Sequence, residues 1–443
     1  MNIKYLSTFL IASLASFSAF STSAAAPKIT IKSELSSPVV LENSQDKNYL
    51  RVSLTGFNQE TQKRSPINLV LVIDRSASMS GDRIEKARDA AILAINMLNP
   101  DDTIAIVAYD NEAEVIVHAS KVKDKTALIE KVKQHITPRG MTALFAGVSR
   151  GIGQVEKYLN ADSINRIILL SDGQANKGPT SISDLSGLAR LAAKKGVSIT
   201  TIGLGSDYNE DLMTAIANYS DGNHAFVDNA ADLENAFQKE FTDVMSVVAQ
   251  NVTVTITTDK AVKPVRLLGR DGSISGNVVT VKLNQLYANQ DKYVLLEVIP
   301  AKGVNEQSMK LADVNVSYNN LSSKKDDKFD QAVNVRYSKS KEAVSKAVVE
   351  DVLVESEIQK VALANEEAIK LMDAGKKKEA KAMMDASANS LNSLQVTSPA
   401  SLQKAKQNAQ AQQDLSDSME KKATSTYRKS VKESNYKTQK QQY

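Results

Sequence analysis

Leu69-Val70-Leu71-Val72-Ile73-Asp74-Arg75-Ser76-Ala77-Ser78-Met79 decides the fold. Five successive apolar residues of strand length, with no polar residue alternating between them, read as a strand buried on both faces. Parallel sheets covered by helices carry that pattern. The run ends on an acid, passes two serines at alternate positions, and gives way to helical spacing near Arg83.

The same alternation of apolar runs and helical periods continues over residues 67–248. Strands are expected at 69–73, 103–109, 166–171, 197–203 and 224–227, with helices near 83–98, 126–135, 144–159, 183–195, 210–219 and 231–247. This order predicts an α/β domain with a doubly wound, Rossmann-like sheet. Residues 113–117 follow the second strand too closely for a crossover, so they predict a hairpin and an antiparallel edge strand.

Both flanks alternate strictly. Val252, Val254 and Ile256 point one way and Thr253, Thr255 and Thr257 the other, and the pattern recurs through residues 249–338. An antiparallel β-sandwich is expected there. Residues 26–66 carry short alternating strands that cannot stand alone. They are assigned to the same sandwich, which makes the α/β domain an insertion between sandwich strands. Residues 339–396 change to helical spacing and break at Asp373-Ala374-Gly375, which predicts a helical hairpin. Residues 397–443 are rich in Gln, Lys, Ser and Asn, and are expected to form a frayed helix and a disordered, mildly basic tail.

Residues 1–25 read as a signal peptide, with Lys4 as the only charge, an apolar Ser-rich run, and cleavage after Ala25. The run is shorter and more interrupted than the ~20 apolar residues a membrane span needs. The chain is therefore expected to be exported, to a periplasm or to the cell exterior. It has no cysteine, so no disulfide framework supports it. The formal charge of +4 is too weak to point to a nucleic-acid partner. Contact of the basic tail with a membrane or an envelope polymer is a minor reading.

Asp74 closes the first strand, and ligands of open parallel sheets sit at such carboxyl ends. Asp172, in Leu169-Leu170-Ser171-Asp172-Gly173, closes another, and Thr142 lies in the loop Pro138-Arg139-Gly140-Met141-Thr142 before a helix. With Ser76 and Ser78 these residues offer two carboxylates and three hydroxyls. Hard oxygen donors suit Mg2+ first, with Mn2+ or Ca2+ as alternatives, and argue against structural zinc. Two carboxylates at most neutralise a divalent ion, so it stays attractive to an outside oxygen.

The order Asp-x-Ser-x-Ser, a later Thr and a later Ser-Asp-Gly resembles the metal-ion-dependent adhesion site of von Willebrand factor A domains. Asn99-Pro100-Asp101-Asp102, Asp172-Gly173-Gln174-Ala175-Asn176 and Gly203-Leu204-Gly205 support the likeness. The resemblance implies that Asp74, Ser76, Ser78, Thr142 and Asp172 bind one metal, and that a protein partner's Asp or Glu supplies the sixth ligand. More broadly, the layout resembles secreted bacterial A-domain proteins and, more distantly, inter-alpha-trypsin inhibitor heavy chains. It implies a non-enzymatic binding, adhesion or assembly module.

Two other readings stand beside it. Metal-dependent phosphoryl transfer of the haloacid-dehalogenase kind would want a second acid where Ser76 stands, and the motif holds no general base. In a structural role the metal would only staple the domain. Asp101 and Asp102 read as turn and capping residues. Arg75 and Arg139 read equally as partner contacts or solvated loop charges. His118, His135 and His224 are scattered and read as structural.

Overall fold

The computed structural model describes residues 27–59, 64–205, 207–422 and 424–441. The expected signal peptide lies outside these residues. No described helix is long and apolar enough to cross a membrane.

The chain opens with β1 (Thr30–Leu35), β2 (Val39–Leu41) and β3 (Asn48–Thr55). It then enters the α/β domain: β4 (Ile67–Asp74), α1 (Asp82–Met97), β5 (Thr103–Tyr109), β6 (Ala113–Lys121), α2 (Lys125–His135) and α3 (Leu144–Val155). β7 (Ile164–Ser171), α4 (Ile182–Lys194), β8 (Ser198–Leu204), α5 (Glu210–Tyr219), β9 (His224–Val227) and α6 (Leu233–Met245) complete it. The sheet order is β6-β5-β4-β7-β8-β9, parallel throughout except for β6, the antiparallel edge strand. Leu69, Leu71 and Ile73 pack on one face with α1, α2 and α6, while Val70 and Val72 pack on the other with α3, α4 and α5. That double burial is why β4 shows no polar alternation. The sheet grows outward from β4 in both directions, so the switch point lies at its carboxyl end, where Asp74 stands.

The strands that follow are β10 (Val247–Thr258), β11 (Lys263–Leu268), β12 (Ser273–Ser275), β13 (Val278–Tyr287), β14 (Asp291–Ile299), β15 (Ser308–Asn320) and β16 (Lys325–Ser338). They form two sheets with the first three strands, β1-β3-β14-β11 and β12-β13-β10-β15-β16-β2. β3 pairs antiparallel with β14, Val52 opposite Val294, so strands from before and after the α/β domain share a sheet. Leu50, Val52 and Leu54 meet Val254, Val281 and Val314 in one core. The α/β domain is fastened to these sheets by Arg166 on β7. Wholly buried, it donates to Gln285 Oε1 (2.5 Å), the Tyr287 hydroxyl (2.8 Å) and Thr200 Oγ1 (3.0 Å).

The C-terminal region comprises α7 (Lys341–Lys346), α8 (Glu350–Asp373), α9 (Lys377–Asn392), α10 (Pro399–Ser418) and α11 (Thr424–Gln439). α8 and α9 pack together across the expected break, while the expectation of a frayed helix and a disordered tail after residue 397 is corrected. α10 packs on α9, and α11 returns along α8. Tyr427 and Val431 share a face against the helical region, Tyr436 turns toward the α/β domain, and all three are buried. Gln412 and Asn365 exchange buried amide hydrogen bonds. Average composition hid both features, because a polar segment folds when its few large side chains are each buried against a neighbour and its buried amides are paired.

α11 also reaches the α/β domain. Lys429 donates to Glu210 Oε2 (2.6 Å) and to the Tyr208 carbonyl (3.0 Å), Arg428 to Glu210 and Asp211, and the Tyr436 hydroxyl to the Gly222 carbonyl (2.5 Å). Lys429→Ala leaves the buried Glu210 with one cation fewer, so urea unfolding is expected to show a loss of about 2–4 kcal/mol. A disordered tail would give no loss.

Candidate metal centre

Three loops above the carboxyl ends of β4 and β7 meet over Asp74. The Asp74 carboxylate is fixed by the Ser76 amide on Oδ1 and the Ser171 hydroxyl on Oδ2, both at 2.8 Å. A single 3-10 turn (Ala77–Met79), pinned by the buried Met79, puts the Ser76 and Ser78 hydroxyls 3.0 Å apart. The Ser78 hydroxyl donates to Asp172 Oδ1 at 2.8 Å. Thr142 joins from the third loop. Its hydroxyl and that of Ser78 both face Gly173, and a Cβ there would stand 3.8 and 3.5 Å from them. The structure thus brings together all five residues singled out from sequence.

The loops are tied to one another. Arg139 N–H donates to the Arg75 carbonyl and Ala77 N–H to the Gly140 carbonyl, with Gly140 at φ +71°, where a side chain would strain the backbone. Thr142 N–H donates to Asn176 Oδ1 (2.8 Å) and Asn176 N–H returns to the Thr142 carbonyl (3.2 Å). Asp74, Ser76, Thr142 and Asp172 are buried, and Ser78 is exposed at the mouth.

Burial pushes Asp74 up to about 6 against the hydrogen bonds from Ser76, and the charge of Asp172 pushes the same way. Two carboxylates held together in a dry site oppose each other's ionisation. A cation among them removes that opposition. The donor set, two carboxylates and three hydroxyls, fits a hard divalent ion such as Mg2+.

Arg83 was not singled out from sequence. Its Nη1 donates to Asp172 Oδ2 at 2.7 Å, so each oxygen of that carboxylate is held, one by Ser78 and one by a cation. No local motif marks it, because the contact joins the start of α1 to the loop after β7. Arg75 resolves toward neither reading: it is buried, paired with Asp110 and Glu114 at 2.7 Å each and bonded to the His135 carbonyl. Arg139 is exposed but also pairs with Asp110. Burial would raise Asp110, yet the hydrogen bonds from Arg139 and Arg75 outweigh it and hold the carboxyl below its ordinary value. Asp102 is a buried clamp at the opposite end of β4, accepting from Arg64 and from the amides of Ile67 and Asn99. His224 is buried against Thr201 and Tyr208, and burial lowers it to about 3, while His118 and His135 are exposed.

Comparisons with known proteins bear on the α/β domain that carries these residues. Residues 68–240 match the family model of the von Willebrand factor type A domain. An uncharacterized protein of Synechocystis is 26% identical over 259 residues, covering 56% of this chain and 61% of the relative. Inter-alpha-trypsin inhibitor heavy chain H2 of Mus musculus is 25% identical over 207 residues, covering 44% of this chain and 22% of the relative. The chain thus spans less than two thirds of the length of these curated relatives. Among solved structures, a von Willebrand factor type A protein of Catenulispora acidiphila superposes with a TM-score of 0.72 at 14% identity, covering 94% of this chain and 98% of that one. Its likeness extends beyond the α/β domain to the flanking sheets and helices. The central segment of this chain is a von Willebrand factor type A domain.

Isothermal titration with Mg2+ is expected to show one ion per chain. Asp172→Asn should weaken binding by about tenfold or more, because it removes one of two charges facing the ion. Equal affinity in the variant would remove Asp172 from the ligand set.

Proposed function

We propose that the chain is an extracytoplasmic, metal-dependent protein-binding module whose partner presents an Asp or Glu carboxylate. The reading rests on one observation: two carboxylates and three hydroxyls converge in a cup whose mouth is the exposed Ser78. When bound there, a divalent ion, Mg2+ by the donor set, supplies a positive centre that attracts a carboxylate.

The chain's own residues do the rest. Asp74 and Asp172 offset the ion's charge, while Arg83 cancels part of that offset, so the cup keeps a net attraction for an anion. Ser76 and Ser78 are neutral donors and add no compensating charge. The cross-ties among the three loops fix the cup before any partner arrives, which lowers the ordering cost of binding. Met141, 44% exposed beside Thr142, offers an apolar contact at the rim. The place that phosphoryl-transfer enzymes give to a second acid holds Ser76, whose hydroxyl is paired with Ser78.

Affinity capture from an envelope extract is expected to recover a partner in Mg2+, to lose it in EDTA, and to lose it with Asp74→Ala in Mg2+. Capture that is indifferent to both treatments contradicts the metal's role. Metal-dependent hydrolysis of a generic phosphate ester, abolished by Asp74→Asn, would replace this reading with the enzymatic one.

A further inference from the structure

A second cavity, of about 430 Å3, lies away from the cup, where α4 and α5, β10 and β13, and the residues after α11 come together. A volume of that order is typical of small-molecule sites. Its lining carries Arg190, Lys194, Arg270, Lys282 and Lys440, against the carboxylates Asp221 and Asp271. The two acids do not balance it. Asp271 is exposed, and Asp221 is already engaged, accepting from the Asn284 amide at 2.6 Å, Lys440 Nζ at 3.1 Å and Arg270 Nη1 at 3.4 Å.

The imbalance is strongest at the back of the cavity. Arg270 and Lys440 are buried side chains that share Asp221. Lys292, 4% exposed, lies in the same electrostatic neighbourhood and makes no hydrogen bond with a described residue; its ammonium stands 4.5 Å from the centroid of the Tyr287 ring. Burial pulls Lys292 down to about 7, and Arg270 and Lys440 add to the effect against the attraction of Asp221. Buried cations are ordinarily matched by acids. Here Arg270 and Lys440 share the single carboxylate of Asp221, with the exposed Asp271 near Lys440 and Asp243 near Lys292 on the far side.

At the mouth, Arg190, Lys194 and Lys282 are exposed and have no acidic partner among the described residues. The Arg190 guanidinium lies 3.8 Å from the centroid of the Tyr219 ring, which orients it while leaving its N–H groups unpaired. The cations come from separate walls: Arg190 and Lys194 from α4, Lys282 from β13, Arg270 from the turn after β11, and Lys440 from beyond α11.

The geometry points to a binding site for a compact polyanion carrying phosphate groups, one that bridges the A-type domain, the flanking sheets and the C-terminal region. Phosphate is favoured over carboxylate because each group carries up to two charges and three acceptor oxygens. Only such dense charge answers cations from several walls within this volume.

The test is calorimetric titration of the full chain with inorganic tripolyphosphate, in EDTA so that the divalent-ion cup takes no part. Saturable binding at one site is expected, with a rise in melting temperature. The double variant Lys194→Glu, Lys282→Glu alters only exposed side chains; it should weaken binding by about tenfold or more and abolish the thermal shift. Absence of saturable binding, or equal affinity in the double variant, would overturn the assignment. So would binding to phosphatidylglycerol vesicles without binding to soluble tripolyphosphate, which would make the surface a membrane contact.

Discussion

Two carboxylates buried at the carboxyl ends of adjacent parallel strands are the constraint around which the A-type domain is arranged. Asp74 and Asp172 are placed by β4 and β7, whose apolar runs leave no freedom of register between two covered faces. Their proximity is unfavourable in a dry site, and the loops answer it with hydroxyls, backbone amides and the Arg83 guanidinium. What remains is a preorganised set of oxygens around a point that favours positive charge. Serine and threonine do this without adding negative charge, as the proposed ligand-recruiting role requires.

The domain does not hang freely from its neighbours. Its entry is clamped by Asp102 and Arg64, its exit passes from α6 directly into β10, and Arg166 joins its sheet to β13 through wholly buried hydrogen bonds. α11 adds a fourth attachment through Glu210 and Gly222. Buried ionic links of this kind define relative position more than they add stability. A partner seated on the cup would therefore load the flanking sheets and the helical region as well as the A-type domain.

Much of this was legible in the chain. The apolar run before Asp74 identified a doubly wound sheet, and the spacing after β5 identified β6 as the antiparallel edge. All five candidate ligands were readable because each sits in a short local phrase. Arg83 and Asn176 were not recognised as parts of the cup, since their roles depend on contacts between loops far apart in sequence. Arg75 read equally as a partner contact or a solvated loop charge because nothing local reveals Asp110 and Glu114 beside it. The helices after residue 397 were obscured by composition: Tyr427, Val431 and Tyr436 are too sparse to raise the average, yet all are buried, Tyr427 and Val431 against the helical region and Tyr436 against the α/β domain.

Crystals of the full chain grown with Mn2+ give the most direct measurement of the central claim. The account predicts an anomalous difference peak in the cup, bonded to the Ser76 and Ser78 hydroxyls at about 2.1–2.2 Å, with its outward coordination position directed to solvent or to an acidic side chain. Manganese ordered elsewhere on the molecule, with the Ser76–Ser78 and Ser78–Asp172 hydrogen bonds intact and no peak between the loops, would contradict it.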